Sequence, residues 1–285
     1  MANGEFSIDA LMPPQMADRA EAIGIRKANT DFWTLLALSV LAGAFIGAGA
    51  MFSTTVTADA AGKLTYGVTR LLGGVVFSVG LIMVIVAGAE LFTGNNLIVM
   101  AWANHKVTTA KLLRNWVIVY LGNLIGSVAT AVLVFLGGQY TFGNGAVGLQ
   151  ALNTAAAKSN LGFVQAFALG IMCNALVCMA VWLCYSARST TDKILSIIFP
   201  ISAFVAGGFE HSIANMYFIP MGILIKSFAA AEFWARIGKT AADYAVVNWG
   251  SFLNNLVPVT IGNIIGGAGL VGLVYWFAYL RTRRS

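Results

Sequence analysis

The sequence predicts an all-α integral membrane protein with six transmembrane helices, the second and fifth of them broken near their middles. Three observations predict this. Of the 285 residues 59% are hydrophobic and 10% charged, against about 25% charged in soluble domains, so a water-facing globule would lack polar surface to cover itself. The apolar residues gather in six blocks, each able to supply the roughly 20 residues that cross a bilayer. Two similar strings, Leu121-Gly122-Asn123-Leu124-Ile125-Gly126-Ser127 and Ile261-Gly262-Asn263-Ile264-Ile265-Gly266-Gly267, stand in the third and sixth blocks.

Residues 1 to 31 form an N-terminal segment expected on the cytoplasmic side. They hold Asp, Glu, Arg and Lys before the first apolar run and lack the layout of a cleaved leader, so they are expected to stay on the chain. Between 14 and 28, Met16, Ala20 and Ile23 recur at helical spacing with charges elsewhere around the turn, which predicts a short amphipathic helix lying on the cytoplasmic face. The six-span domain runs from 32 to 280, with blocks at 32 to 53, 69 to 103, 113 to 136, 162 to 186, 194 to 226 and 254 to 280. A basic cytoplasmic tail, 281 to 285, closes the chain.

The second and fifth blocks are too long for one plain helix. Ala87-Gly88-Ala89-Glu90-Leu91-Phe92-Thr93-Gly94-Asn95-Asn96 interrupts the second, and Ala206-Gly207-Gly208-Phe209-Glu210-His211-Ser212-Ile213-Ala214-Asn215 the fifth. Gly loosens a helix, and Thr and Ser restart one well as N-caps. Three spans carry the second copy of the repeat into the opposite orientation, the pattern of an inverted-topology repeat with a site near the midplane. Gly122, Gly126, Gly262 and Gly266 are read as close-packing positions between helices. The connection from 137 to 161 reads as a long outer loop, and 228 to 249 as an outer interfacial helix in which Glu232 stands four residues before Arg236.

Lys and Arg divide eleven to six in favour of the side that carries the termini, so both termini are expected in the cytoplasm. The net charge of +6 is therefore a topology signal; it forms no basic stripe, and nucleic-acid binding is excluded. Cys173, Cys178 and Cys184 share one apolar block and make no framework of loop disulfides.

Only Glu90, Glu210 and His211 lie deep in the apolar blocks. A charge at the bilayer centre costs about 2.5–3.5 kcal/mol even on the lenient scale, so these side chains must face protein or water. If helices restart near Thr93 and Ser212, two helix N-termini meet at the midplane with unpaired N–H groups and partial positive charge. Such a place favours an anion or a polar neutral molecule. Glu90 and Glu210 are read as structural, accepting hydrogen bonds from those free N–H groups. For His211 the pore reading is preferred to that of a satisfied buried histidine, since its ring titrates in the physiological range. Lys158 is either a solvated loop lysine or part of an electropositive mouth.

The strings Gly-Ala-Glu-Leu-Phe-Thr-Gly at 88 to 94, Cys-Asn-Ala-Leu-Val-Cys at 173 to 178 and Gly-Phe-Glu-His-Ser-Ile-Ala-Asn-Met at 208 to 216 resemble the formate/nitrite transporter family. Ile-Pro-Met-Gly-Ile at 219 to 223 and Val-Pro-Val-Thr-Ile-Gly-Asn-Ile-Ile-Gly-Gly at 257 to 267 are most like its formate channel branch. The resemblance implies a homopentamer in a bacterial cytoplasmic membrane, each protomer with an aquaporin-like six-helix fold and its own pore. It implies a central histidine at His211, a pore threonine at Thr93, an asparagine hydrogen-bonded to the histidine at Asn174, and an outer lysine at Lys158. By the same matching Leu81, Leu91 and Phe92 form a cytoplasmic constriction, and Phe77 and Phe204 a periplasmic one, in place of their plain reading as helix packing. No cofactor or metal is expected.

The expected function is thus passage of formate and similar small monovalent anions, with transient protonation near His211 and acid-induced closure by the N-terminal helix. Nitrite or hydrosulfide are the alternative cargoes. Paired Asn-Pro-Ala strings are absent, which argues against a water facilitator. An intramembrane hydrolase is disfavoured, because His211 and Ser212 are adjacent and do not face each other on a helix.

Overall fold

The computed structural model describes residues 10–283, and among these every regular element is helical. Helix α1, Pro13–Ala28, begins with prolines whose missing N–H groups cost nothing in a first turn. Helix α2, Phe32–Thr57, is capped by Asp31, whose carboxylate accepts the Thr34 N–H at 3.0 Å. Helix α3, Tyr66–Ile82, loosens into a π-helical turn, Met83–Gly88. After three residues out of helix the chain resumes as α4, Phe92–Asn95, and α5, Val99–Ala103, joined by a 3₁₀ turn, Asn96–Ile98.

Helix α6, Thr109–Leu136, starts on the Thr108 hydroxyl. Helix α7 is Ala146–Ser159 and α8 Phe163–Ser186. Helices α9, Thr190–Ala206, and α10, Ser212–Phe228, divide the fifth apolar block. A short α11, Ala231–Ile237, turns away from α10 by 110°. Helix α12, Trp249–Ile264, passes through a π-helical stretch, Ile265–Leu273, into α13, Val274–Tyr279.

Among the described residues five helical stretches are long and apolar enough to cross a membrane, and six if α10 and α11 make one span. Their outward faces carry large apolar side chains, Val117, Leu133 and Leu253 among them, as a lipid-facing surface requires. Glycines set the closest approaches. A Cβ on Gly126 would overlap the Val40 carbonyl of α2, and one on Gly266 the Ile171 carbonyl of α8. Gly122 and Gly262 meet Ser39 and the Phe167 carbonyl in the same way, so all four are packing positions as expected.

Three expectations differ from the structure. The outer connection at 137 to 161 contains α7, which buries Leu152 and Ala155 against α10, with Gly222 tight on Ala155. Its alternating small and apolar residues are too few to register as a hydrophobic block, although Gly145, in the left-handed region, marks its start. The segment 228 to 249 is two short pieces, α11 and a 3₁₀ turn at Ala241–Tyr244, because Gly238 (φ 62°) breaks it. Helix α1 spends its apolar face on protein, not lipid. Met16, Ala17 and Ala20 are buried with Leu97, Met100, Trp182 and Tyr185, and Gly24 lies against Ala101 and Ile98. Of the expected segments 1 to 31 and 281 to 285, residues 1–9 and 284–285 lie outside the described residues.

Candidate functional site

The two interruptions are built alike. At the first, Gly88 takes φ 85° and at the second Gly208 takes φ 73°, values open to glycine without strain. The Glu90 N–H then reaches across to the Leu38 carbonyl of α2 at 3.2 Å, and the Glu210 N–H to the Leu169 carbonyl of α8 at 3.3 Å. Each buried backbone group so finds a partner outside its own helix, as a membrane interior demands.

The free N–H groups of the restarting helices are met by asparagines. Asn123 Oδ1 accepts the Phe92 N–H at 2.9 Å while its amide donates to the Ser39 and Glu90 carbonyls. Asn263 Oδ1 accepts the Ser212 N–H at 3.0 Å and donates to the Gly170 and Glu210 carbonyls. The glutamates do something else. Glu90 binds Lys27 Nζ at 2.9 Å and the Asn95 amide at 2.7 Å; Asn95 also donates to Asn115, whose amide returns to the Lys27 carbonyl. Glu210 binds Lys158 Nζ at 2.8 Å and the Asn215 amide at 2.6 Å; Asn215 also donates to Asn255, whose amide returns to the Lys158 carbonyl.

Glu90 and Glu210 each hold a lysine and an asparagine, where helix N–H groups were expected. Ser212 is corrected too. It occupies the first helical position, too late to cap, and its buried hydroxyl has no hydrogen-bond partner among the described residues. His211 is the cap, with Nδ1 accepting the Ala214 N–H at 3.2 Å. Its Nε2 stands 3.1 Å from Thr93 Oγ1, joining the two interruptions directly. An Nδ1 that accepts a backbone N–H carries no proton, so the network assigns the neutral ring's proton to Nε2, which donates to Thr93.

Asn174 does not reach His211. Its amide bonds the Thr93 and Asn263 carbonyls at 3.3 and 2.7 Å and Asn96 Oδ1 at 2.8 Å, fully buried. It fixes the threonine, and the expected bond to the histidine is absent because Nδ1 is committed to the helix cap and Nε2 to Thr93.

Two cavities open toward this junction. One, about 440 Å³, is lined by Arg70, Phe77, Lys158, Phe204, Glu210 and His211 among others. Phe77 and Phe204 meet edge to face there with centroids 5.5 Å apart, and Phe204 lies 5.9 Å from the His211 ring. The other, about 390 Å³, is lined by Arg19, Lys27, Leu81, Glu90 and Leu91 among others. Phe77 of the first and Leu81 of the second are one turn apart on α3. Phe92 lines neither. Its ring packs edge-on against Tyr120 and Trp116 of α6, 4.9 and 6.1 Å between centroids, whereas Leu81 and Leu91 line the second cavity.

Arg70 and Lys27 were missed as site residues. Arg70 gives a guanidinium N–H to the Val205 carbonyl and lies 6.0 Å from the Tyr66 ring; in the sequence it was one more topology charge. Lys27 sat on a helix read as lying on the membrane. The signal that could have found the asparagines was already in the repeat, since Asn123 and Asn263 hold the same place in both strings.

The family model for the formate/nitrite transporter matches residues 14–277. This chain belongs to the formate/nitrite transporter family. It is 46% identical over 274 residues to the formate channel FocA of Escherichia coli (strain K12), covering 96% of each chain. It is 43% identical to the formate channel FocA of Haemophilus influenzae, covering 95% of each. A solved pentameric formate channel with formate bound superposes with a TM-score of 0.83 at 47% identity, over 88% of this chain and 98% of that one. An FNT family ion channel superposes at 0.78 with 27% identity, over 93% and 98%.

Proposed function

We propose that this protein is a channel for formate and related small monovalent anions, a homopentamer in a bacterial cytoplasmic membrane with both termini in the cytoplasm. The observation that carries the proposal is the junction itself. One cavity is lined by Phe77, Phe204 and His211 and the other by Leu81 and Leu91, and the Thr93–His211 pair joins the two helix starts. Relatives named as formate channels along nearly the whole chain support formate as the cargo. The like-for-like hydrogen bonds of Asn123 with Asn263, Asn115 with Asn255, and Lys27 with Lys158 support an aquaporin-like inverted repeat, in which α3 to α5 and α9 to α10 are the two broken spans.

On this reading the Lys158 cavity is periplasmic and the Lys27 cavity cytoplasmic. A bare anion crosses an apolar slit at high cost. Formate takes up a proton from water at the junction, crosses as formic acid, and returns the proton beyond. His211 serves as a neutral donor: charging it would place a proton on Nδ1, against the Ala214 N–H, and uncap α10. The Thr93 hydroxyl hydrogen is then left to greet the permeating carboxyl group.

The test is formate flux into proteoliposomes at several pH values, wild type against His211→Phe, with nitrite and hydrosulfide as competing cargoes. The substitution should alter the pH dependence of flux, and an unchanged profile removes His211 from the protonation step. Nitrite outcompeting formate would favour the other cargo of the family's name. Helix α1, which lines the cytoplasmic cavity through Lys27, is also the proposed acid gate; deleting residues 1 to 28 should abolish closure at low pH.

A further inference from the structure

The two cavities are unequal in charge, and the proposed permeation of a small monovalent anion does not call for this. The Lys158 cavity is lined by two cations, Arg70 and Lys158, and one carboxylate, Glu210. The Lys27 cavity is lined by four cations, Arg19, Arg26, Lys27 and Lys193, and one carboxylate, Glu90. Glu90 is consumed by Lys27 at 2.9 Å. Three positive charges are left around one mouth, delivered from two directions: Arg19 and Arg26 by α1, and Lys193 by the first turn of α9.

Among the described residues, Glu21 accepts from the Asn104 amide and Asp192 caps its own helix on the Arg188 and Ser189 N–H groups, and neither lines the cavity. Arg19 lines the cavity and is tethered by one guanidinium nitrogen to the Tyr185 carbonyl at 2.8 Å, its other N–H groups having no partner among the described residues. Arg19 and Arg26 are exposed, so the positive field they share with Lys193 reaches anions in the surrounding water and draws them to this mouth. Guanidinium groups further suit phosphate and carboxylate oxygens, which they hold in pairs.

We propose that the Lys27-side vestibule is a binding site for a polyvalent oxyanion of the pyrophosphate class, held by Arg19, Arg26 and Lys193. At about 390 Å³ the cavity is of ligand size. Below it, Leu81 and Leu91 bar a hydrated multiple charge from going further, because its desolvation is far costlier than that of a single one. The occupant therefore blocks formate from that side alone. The proposal rests on the channel reading only for the blocking; the binding stands without it.

The test is formate flux across proteoliposomes holding the channel in one orientation, with pyrophosphate and a chelator placed on either side in turn. Block is expected from one side only and should weaken as ionic strength rises. In Arg26→Gln/Lys193→Gln the half-blocking concentration should rise at least tenfold, while Arg26→Lys/Lys193→Arg should block like the wild type. If the double Gln variant fails to insert, each single Gln variant reads the same quantity. Calorimetric titration of the detergent-solubilised wild type with pyrophosphate reads the site even where no formate flux is seen, so failure of the channel reading is told apart from failure of this one. No binding, equal block from both sides, or block unchanged in the Gln variants overturns the proposal.

Discussion

Removing Lys158 alone should harm the protein more than removing Lys158 and Glu210 together. The pair is 2.8 Å long, with side chains 15% and 5% exposed, so solvent screens it little. In Lys158→Met, Glu210 keeps only the Asn215 amide and becomes a buried charge without a counter-charge, which costs about 3–5 kcal/mol. At roughly 2–4 °C per kcal/mol for chains of a few hundred residues, the melting temperature should fall by about 6–20 °C. Lys158→Met/Glu210→Gln removes both charges and leaves the Gln carbonyl to accept from Asn215, so most of that loss should return.

A thiol-reactive dye suits the measurement, since Cys173, Cys178 and Cys184 are all buried and free and react only on unfolding. Additive losses, with the double variant as low as the two single losses combined, would refute the reasoning, because independent sites add and coupled ones do not. The stabilised double variant also separates two roles. Formate flux that stays low in it marks Lys158 as a capturing charge at the mouth, beyond its part in holding Glu210.

Three further outcomes are expected. Asn263→Leu strands the Ser212 N–H and the Gly170 and Glu210 carbonyls; at about 1–3 kcal/mol each, the loss approaches the whole stability of an ordinary domain, and size-exclusion chromatography should show little monodisperse protein. Gly126→Ala sets a Cβ into the Val40 carbonyl, backbone that cannot give way, and should cost about 1–3 kcal/mol or more, read in the same dye assay. Asp31 has its carboxyl held below the usual value by the Thr34 N–H and then the Thr34 hydroxyl. With its folded-state pKa depressed, its stabilisation is complete above the unfolded-state value and is lost as pH falls through the folded-state one; Asp31→Asn should flatten the melting temperature over that acidic range.

The helix interruptions were legible because scarcity isolates. With 10% charged residues, an acid inside an apolar block can hardly be accidental, and Glu90, Glu210 and His211 led straight to the junction. What those acids bind was not legible. Lys27 lies 63 positions from Glu90, and Lys158 lies 52 from Glu210, and no local pattern carries a pairing over such separations. Asparagine is harder still, since it is neutral and raises no flag in a charge count; Asn123 and Asn263 were read past in favour of the glycines beside them. Helix α7 failed for a third reason: Ala and Gly pack well against α10 yet contribute little to a hydrophobicity average.

The Thr93–His211 bond has a consequence for how such a scaffold can arise. Position for position, the first helix start has Leu91 and Thr93 where the second has His211 and Ile213. Two identical three-span units associating as a dimer would present either two imidazoles or none, and never one imidazole facing one hydroxyl. A single donor–acceptor couple where the two interruptions meet needs both on one chain, free to diverge at Leu91/His211 and Thr93/Ile213 while Asn95 and Asn215, and Asn123 and Asn263, stay matched.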